Sequence, residues 1–195
     1  MKDIKLIFLL SITTLVAWSC SNSSFPTSAD LSPTGPYAKA IEVAPADSLI
    51  DLAQQIPGFG GLFINDSDQL SIYLTKPTQQ QQKAREVLSN SELISKMLKN
   101  LRARGQKYQS VSISNMEVLK GQYSFITLYN WKKEVNREVL SMDAVYTTGI
   151  DQSRNKLSVG VKNETAAAKV IKKLAELDIP EKAVMMYQMT PPVLY

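Results

Sequence analysis

The 195-residue chain contains no histidine and a single cysteine. Without histidine, every Ser-His or Cys-His nucleophile pair and every imidazole metal site is excluded. One cysteine cannot form an intrachain disulfide, so in an exported chain it needs another purpose. Charge of one sign is scarce as well: 22 Lys and Arg stand against 18 Asp and Glu, a net +4. That balance, with no basic stripe carrying interleaved aromatics, gives no nucleic-acid surface. Long apolar runs are missing too; the longest, residues 6–18, falls short of the ~20 residues that span a bilayer.

What residues 1–20 do contain is a leader. Lys2 and Lys5 supply positive charge, the apolar stretch follows, and Cys20 closes it before the polar Ser21, Asn22, Ser23 and Ser24. This is the layout of a bacterial lipoprotein signal over residues 1–19, with Cys20 acylated (palmitate) as the first mature residue. Trp18, where such signals place a small residue, leaves open a secretory signal cut elsewhere and a free thiol. Residues 20–45, rich in Ser, Thr and Ala with Pro26, Pro33, Pro36 and Pro45, read as a flexible tether. The expected location is the bacterial cell envelope, anchored by lipid outside the cytoplasm, on the outer membrane in a Gram-negative cell.

The rest has the alternation and punctuation of a folded α+β chain. Strand-like Ala144 to Ile150, the polar turn Asp151-Gln152-Ser153-Arg154-Asn155, and an alternating strand with Leu157, Val159 and Val161 on one face are followed by a helical pattern from Thr165 to Leu177 and a final strand over residues 183–189. Ile171 and Leu174 are expected in the core beside those valines. An upstream echo exists: Leu62-Phe63-Ile64, a turn at Asn65 to Gln69, then Leu70 to Leu74 and another helix. Ile64 aligns with Ile150 and Leu70 with Leu157. The predicted fold is therefore α+β, with two pseudo-repeated hairpin-helix-strand units of small antiparallel sheets packed against helices, spanning 46–122 and 123–195. Between the copies, residues 92–104 predict a helix with Lys96, Lys99, Arg102 and Arg104 on its polar side. Residues 110–118 predict a strand, and Phe125, Leu128, Trp131, Val135 and Val139 a helix.

The chemistry-bearing patterns are weak. Gly58, Gly60 and Gly61 are not followed by Gly-Lys-Ser/Thr, and the run enters a strand, so it is a turn and not a phosphate loop. Asn65, Asp66 and Asp68 lack the later bidentate Glu of a calcium loop. Glu134 and Glu138 share a helix face, but Lys132, Lys133 and Arg137 beside them favour ion pairing. Asp143, Asp151 and Glu164 have no nucleophile or metal partner in the pattern. No catalytic residue, metal or cofactor is assigned.

Tyr129-Asn130-Trp131, the segment from Gly149 to Val161 with its Asp-x-x-x-Asn-Lys-Leu-x-Val core, Ala183-Val184 and Thr190-Pro191-Pro192 together resemble the pro-regions of α-lytic and streptogrisin-type serine proteases. The likeness covers about a third of the chain. It implies a small α+β module, here without a protease domain, that packs its sheet against a protease, assists its folding and inhibits it through the C-terminal tail. The expected partner is an exported serine protease or another envelope protein. The candidate contact is Met189, Thr190, Pro191, Pro192, Val193, Leu194 and Tyr195, where the two prolines end the sheet and restrict the tail. The last three residues either project as a ligand or fold back as core. The alternative to a protease-directed binding module is a structural or assembly-assisting envelope lipoprotein.

Overall fold

The structure, a computed structural model, describes residues 40–190. It is α+β and built from two copies of one motif. The first runs β1 (Ile41–Glu42), a 3-10 turn over Ala46–Leu49, α1 (Ile50–Gln55), β2 (Phe59–Ile64), β3 (Leu70–Leu74), α2 (Pro77–Asn90), α3 (Glu92–Ala103) and β4 (Glu117–Lys120). The second runs α4 (Phe125–Glu138), β5 (Val145–Asp151), β6 (Lys156–Val161), α5 (Glu164–Glu176) and β7 (Val184–Gln188). Helix, hairpin, helix, strand is the common order, with β1 before it and a second crossover helix, α3, added in the first copy.

The pseudo-repeat extends to register. Ile64 pairs with Leu70 across the first hairpin, and Ile150 pairs with Leu157 across the second. Each hairpin has its irregularity at the same place, between Phe59 and Gly61 in one copy and between Val145 and Thr147 in the other. The sheets differ from the all-antiparallel expectation. In both, the helical crossover returns the chain in its original direction, so β4 lies parallel to β3 and β7 parallel to β6. Strand orders are β1-β2-β3-β4 and β5-β6-β7.

Local chemistry explains the helix limits. Pro77 opens α2 in the first turn, where a missing N–H costs nothing. Ser91 ends α2 and caps α3, its hydroxyl accepting from Ile94 N–H. Ser124 caps α4 through Thr127 N–H at 3.1 Å, and Asn163 caps α5 through Ala166 N–H at 3.0 Å. Where a strand was expected from residue 110, the chain instead forms an irregular loop up to Met116. Arg85 on α2 holds it, donating to the carbonyls of Ile113 (2.6 Å), Ser114 (3.2 Å) and Met116 (3.0 Å). Only Glu117 onward pairs with β3. The expected tether also gives up its end: Ile41 and Glu42 pair with β2, and Ala44 is buried.

The core is continuous across both copies and does not centre on the second one. Its largest fully buried side chains include Phe59, Phe63, Ile64, Ile72 and Leu88 from the first copy and Phe125 from the second. Phe59 and Phe125 meet across the boundary with ring centroids 5.6 Å apart. Helix α4 joins the halves, packing against α1, β2, β5 and β6. On α5 the inward residues are Ala166, Ala167, Val170 and Leu174; Ile171, expected inside, is only half-buried because it falls to the flank of that stripe. Leu174→Ala is therefore expected to lower unfolding free energy by about 2–5 kcal/mol, through lost burial and a cavity, and Ile171→Ala by clearly less. Denaturant melts of the two variants check this ordering; equal losses would mean a different inward face.

Candidate binding surface

The second hairpin turn decides how the two sheets meet. The sequence presents Asp151–Asn155 as an ordinary polar turn, yet Gln152, Ser153 and Asn155 are 0%, 6% and 3% exposed. Asn155 Oδ1 accepts from the backbone N–H groups of Gln122 (2.7 Å) and Tyr123 (2.8 Å). Its Nδ2 donates to the carbonyls of Gly60 and Tyr123, both at 2.8 Å. Two donors and two acceptor sites are all an asparagine amide has, so its capacity is filled. Gln152 Nε2 donates to Ala44 O at 2.8 Å, and its Oε1 accepts from Leu62 N–H at 3.4 Å. Tyr73 Oη donates to Ser153 O at 3.1 Å. Within the turn, Asp151 accepts from Ser153 Oγ (2.7 Å), Arg154 N–H (3.0 Å) and Arg154 Nη1 (2.6 Å), which fixes its shape.

The glycines belong to this junction. A Cβ on Gly60 would stand 2.8 Å from Asn155 Nδ2 and 3.0 Å from Tyr123 O, and one on Gly121 3.2 Å from Asn155 Oδ1. Gly61 has φ of +144° and lies against Gln152. Glu42 accepts from Gln152 N–H at 3.3 Å. Loss of water around the Glu42 carboxylate raises its pKa, Asp151 raises it further, and the hydrogen bonds from Gln152 oppose both.

Held by that turn, the C-terminal sheet has two unlike faces. Ile150, Leu157, Val159, Val161, Val184 and Met186 are buried inward. Thr148 shares that side and its Oγ1 meets Asn136 of α4. Helices α4 and α5 lie next to each other, Lys173 Nζ standing 3.8 Å from Glu138 Oε2. The other face carries small or absent side chains, Thr147, Gly149, Ser158 and Gly160, beside half-buried Met185 and Tyr187. Met189 lies across Gly160, where a Cβ would collide with its sulfur. Tyr187 has its pKa raised, first by burial and then by the charge of Asp151, against a lowering hydrogen bond with Thr147.

Met189 N–H still bonds to Val161 O at 2.9 Å, so pairing reaches one residue past β7. Thr190 is exposed, and residues 191–195, which hold Pro191, Pro192, Val193, Leu194 and Tyr195, lie outside the described residues, as does Cys20. Among the described residues β7 has no strand on its other side. The remaining sequence candidates go elsewhere. Glu138 pairs with Arg137 Nε at 2.9 Å, and that hydrogen bond holds its pKa below the usual carboxylate range. Trp131 packs edge-on to Tyr123 at 5.3 Å, against the core. Asn65 Oδ1 accepts from Ser67 and Gln69 N–H, both at 3.0 Å, so that segment is a hairpin turn. No three His, Cys, Asp or Glu side chains converge as a metal site among the described residues, and no helix there is long and apolar enough to cross a membrane. Compared with protein-family models and curated proteins, the chain matches none.

The sequence missed the buried turn. The available signal lay opposite it, in Gly60, Gly61 and Gly121, which leave room for inserted side chains. Strand alternation makes the open edge testable. With Met189 N–H on Val161 O, the N–H groups of Met185 and Tyr187 also point to β6, and those of Met186 and Gln188 point outward. Amide hydrogen exchange should be fast at Met186 and Gln188 and slow at Met185 and Tyr187. Uniform protection along β7 would mean the edge is covered.

Proposed function

We propose that this protein is a lipid-anchored, non-catalytic binding module of the bacterial cell envelope, which presents its C-terminal sheet and tail to an exported serine protease. The observation that carries the reading is the outer edge of β7, unpaired among the described residues, running directly into the tail through Met189 and Thr190. An extended segment of a partner can add to such an edge, with main-chain hydrogen bonds supplying affinity and alternate side chains specificity. The half-exposed outer face beside it gives the partner an area to pack on, and the small side chains there permit close approach. The likeness to protease pro-regions supplies the partner class and a role for the tail: Tyr195 enters the primary specificity pocket, and its carboxylate approaches the oxyanion donors. Cys20, acylated, holds the module at the membrane.

Deleting Val193–Tyr195 separates a ligand tail from a folded-back one. The full-length protein should inhibit a chymotrypsin-like protease, and the deletion should abolish inhibition while leaving the melting temperature unchanged. No inhibition by the full-length chain, or a large fall in melting temperature on deletion, contradicts the proposal. In cells, labelled palmitate should enter the wild-type protein and not Cys20→Ala; an unlabelled wild type removes the anchor.

A further inference from the structure

The exposed side of α3 holds cations that the fold does not use. Lys96, Lys99 and Arg104 are exposed, and none has an ion pair among the described residues. Arg102, on the flank, is engaged instead, its Nη2 donating to Val111 O at 2.7 Å. Between Glu92 and Glu117 the sequence has no acidic residue. The helix dipole accounts for a cation at the C-terminal end, where Arg104 stands, but its effect is spent within the last turn and leaves Lys96 unexplained.

The second observation is where the chain enters the fold. Ile41, Glu42 and Val43, the first residues after the tether, line one cleft of about 120 Å³ together with Asn100, Leu101 and Arg104. The segment coming from Cys20 therefore joins the fold beside the cationic end of α3. We infer that this side of α3 rests on an anionic phospholipid surface, as a second attachment next to the lipid on Cys20. The inference depends on Cys20 being the anchor. A flexible chain of ~20 residues has a root-mean-square reach of ~25 Å, which keeps the face at an effective concentration in the millimolar range. The tether then strengthens an attraction that the face already has as a free protein. The charge attraction acts only within a Debye length, ~8 Å at physiological salt, so the surface has to be nearly touched.

The test uses the chain from Ser21 onward, unlipidated, which keeps every described residue. Its sedimentation with phosphatidylcholine vesicles containing phosphatidylglycerol is compared with that on phosphatidylcholine alone. Binding should require the anionic lipid and weaken as salt rises. Each cation near the surface is worth about fivefold in affinity, so Lys96→Gln, Lys99→Gln and Arg104→Gln combined should weaken it ~100-fold, with circular dichroism unchanged. Lys169→Gln, Lys172→Gln and Lys182→Gln combined, exposed on and just after α5, remove the same three charges and should change it little. No binding to anionic vesicles, equal binding to neutral ones, or an equal loss in the α5 control overturns the inference; the first would hand the face to an acidic protein partner. Failure of the anchor shows separately, in the palmitate labelling.

Discussion

Asn155 is the constraint on which the arrangement of this molecule depends. Its amide reaches from the second hairpin into the first copy and fills all four of its hydrogen-bonding positions with backbone groups. Those groups belong to β2 and to the link between β4 and α4. The Gly60 carbonyl is buried and the Gln122 and Tyr123 groups are part-buried, so each would otherwise lack a partner at least partly away from water. A buried polar group left without a partner costs about 1–3 kcal/mol, so the network penalises any other placement of the sheets more than it rewards this one. Asn155 has φ of 53°, a left-handed conformation that asparagine tolerates better than most residues. Conformation and chemistry select the same side chain.

The rest of the interface follows from that plug. Gln152 and Tyr73 add hydrogen bonds around it, and Phe59 meets Phe125 below it. Helix α4 begins two residues after Tyr123, so its start is positioned by Asn155 and its body touches both sheets. The two copies have thus diverged in what the equivalent turn does. Asn65 holds its own hairpin and reaches Glu117 of β4 at 2.9 Å, within its own half; Asn155 reaches the other half. With one face occupied by helices and its turn locked, the C-terminal sheet keeps an outer face and, among the described residues, an unpaired β7 edge; the exposed cations of α3 belong to the first copy, where Arg104 shares a cleft with Ile41, Glu42 and Val43.

Much of this was legible. Alternation in Leu157, Val159 and Val161 gave the strand and its inward face, and the spacing from Phe125 to Val139 gave α4, because burial on one side imposes a period on the sequence. The repeat was visible in Ile64 against Ile150 and Leu70 against Leu157. Strand direction was not: a crossover helix, rather than a pattern of residues, makes β4 and β7 parallel. The loop before Glu117 reads as a strand locally, but Arg85 and Arg102, distant in sequence, take up its carbonyls in place of a neighbouring strand. The buried turn was hidden for a related reason. Polar residues between two strands normally face water, and it takes three glycines on two separate segments, Gly60 and Gly61 in β2 and Gly121 after β4, to make room for Gln152 and Asn155. For the proposed binding surface, the sequence offered the tail residues, while the β7 edge, unpaired among the described residues, depends on strand order and had no local signal.

The central claim is that the Asn155 side chain ties the two halves together. Asn155→Gly tests it most directly, since glycine keeps the left-handed backbone without strain while taking away the amide, at a cost in unfolded-chain entropy of only about 0.4–1 kcal/mol. In an equilibrium urea melt followed by tryptophan fluorescence, the account predicts a loss of roughly 2–5 kcal/mol, four backbone groups having lost their partner. A midpoint and slope equal to those of the wild type would contradict it.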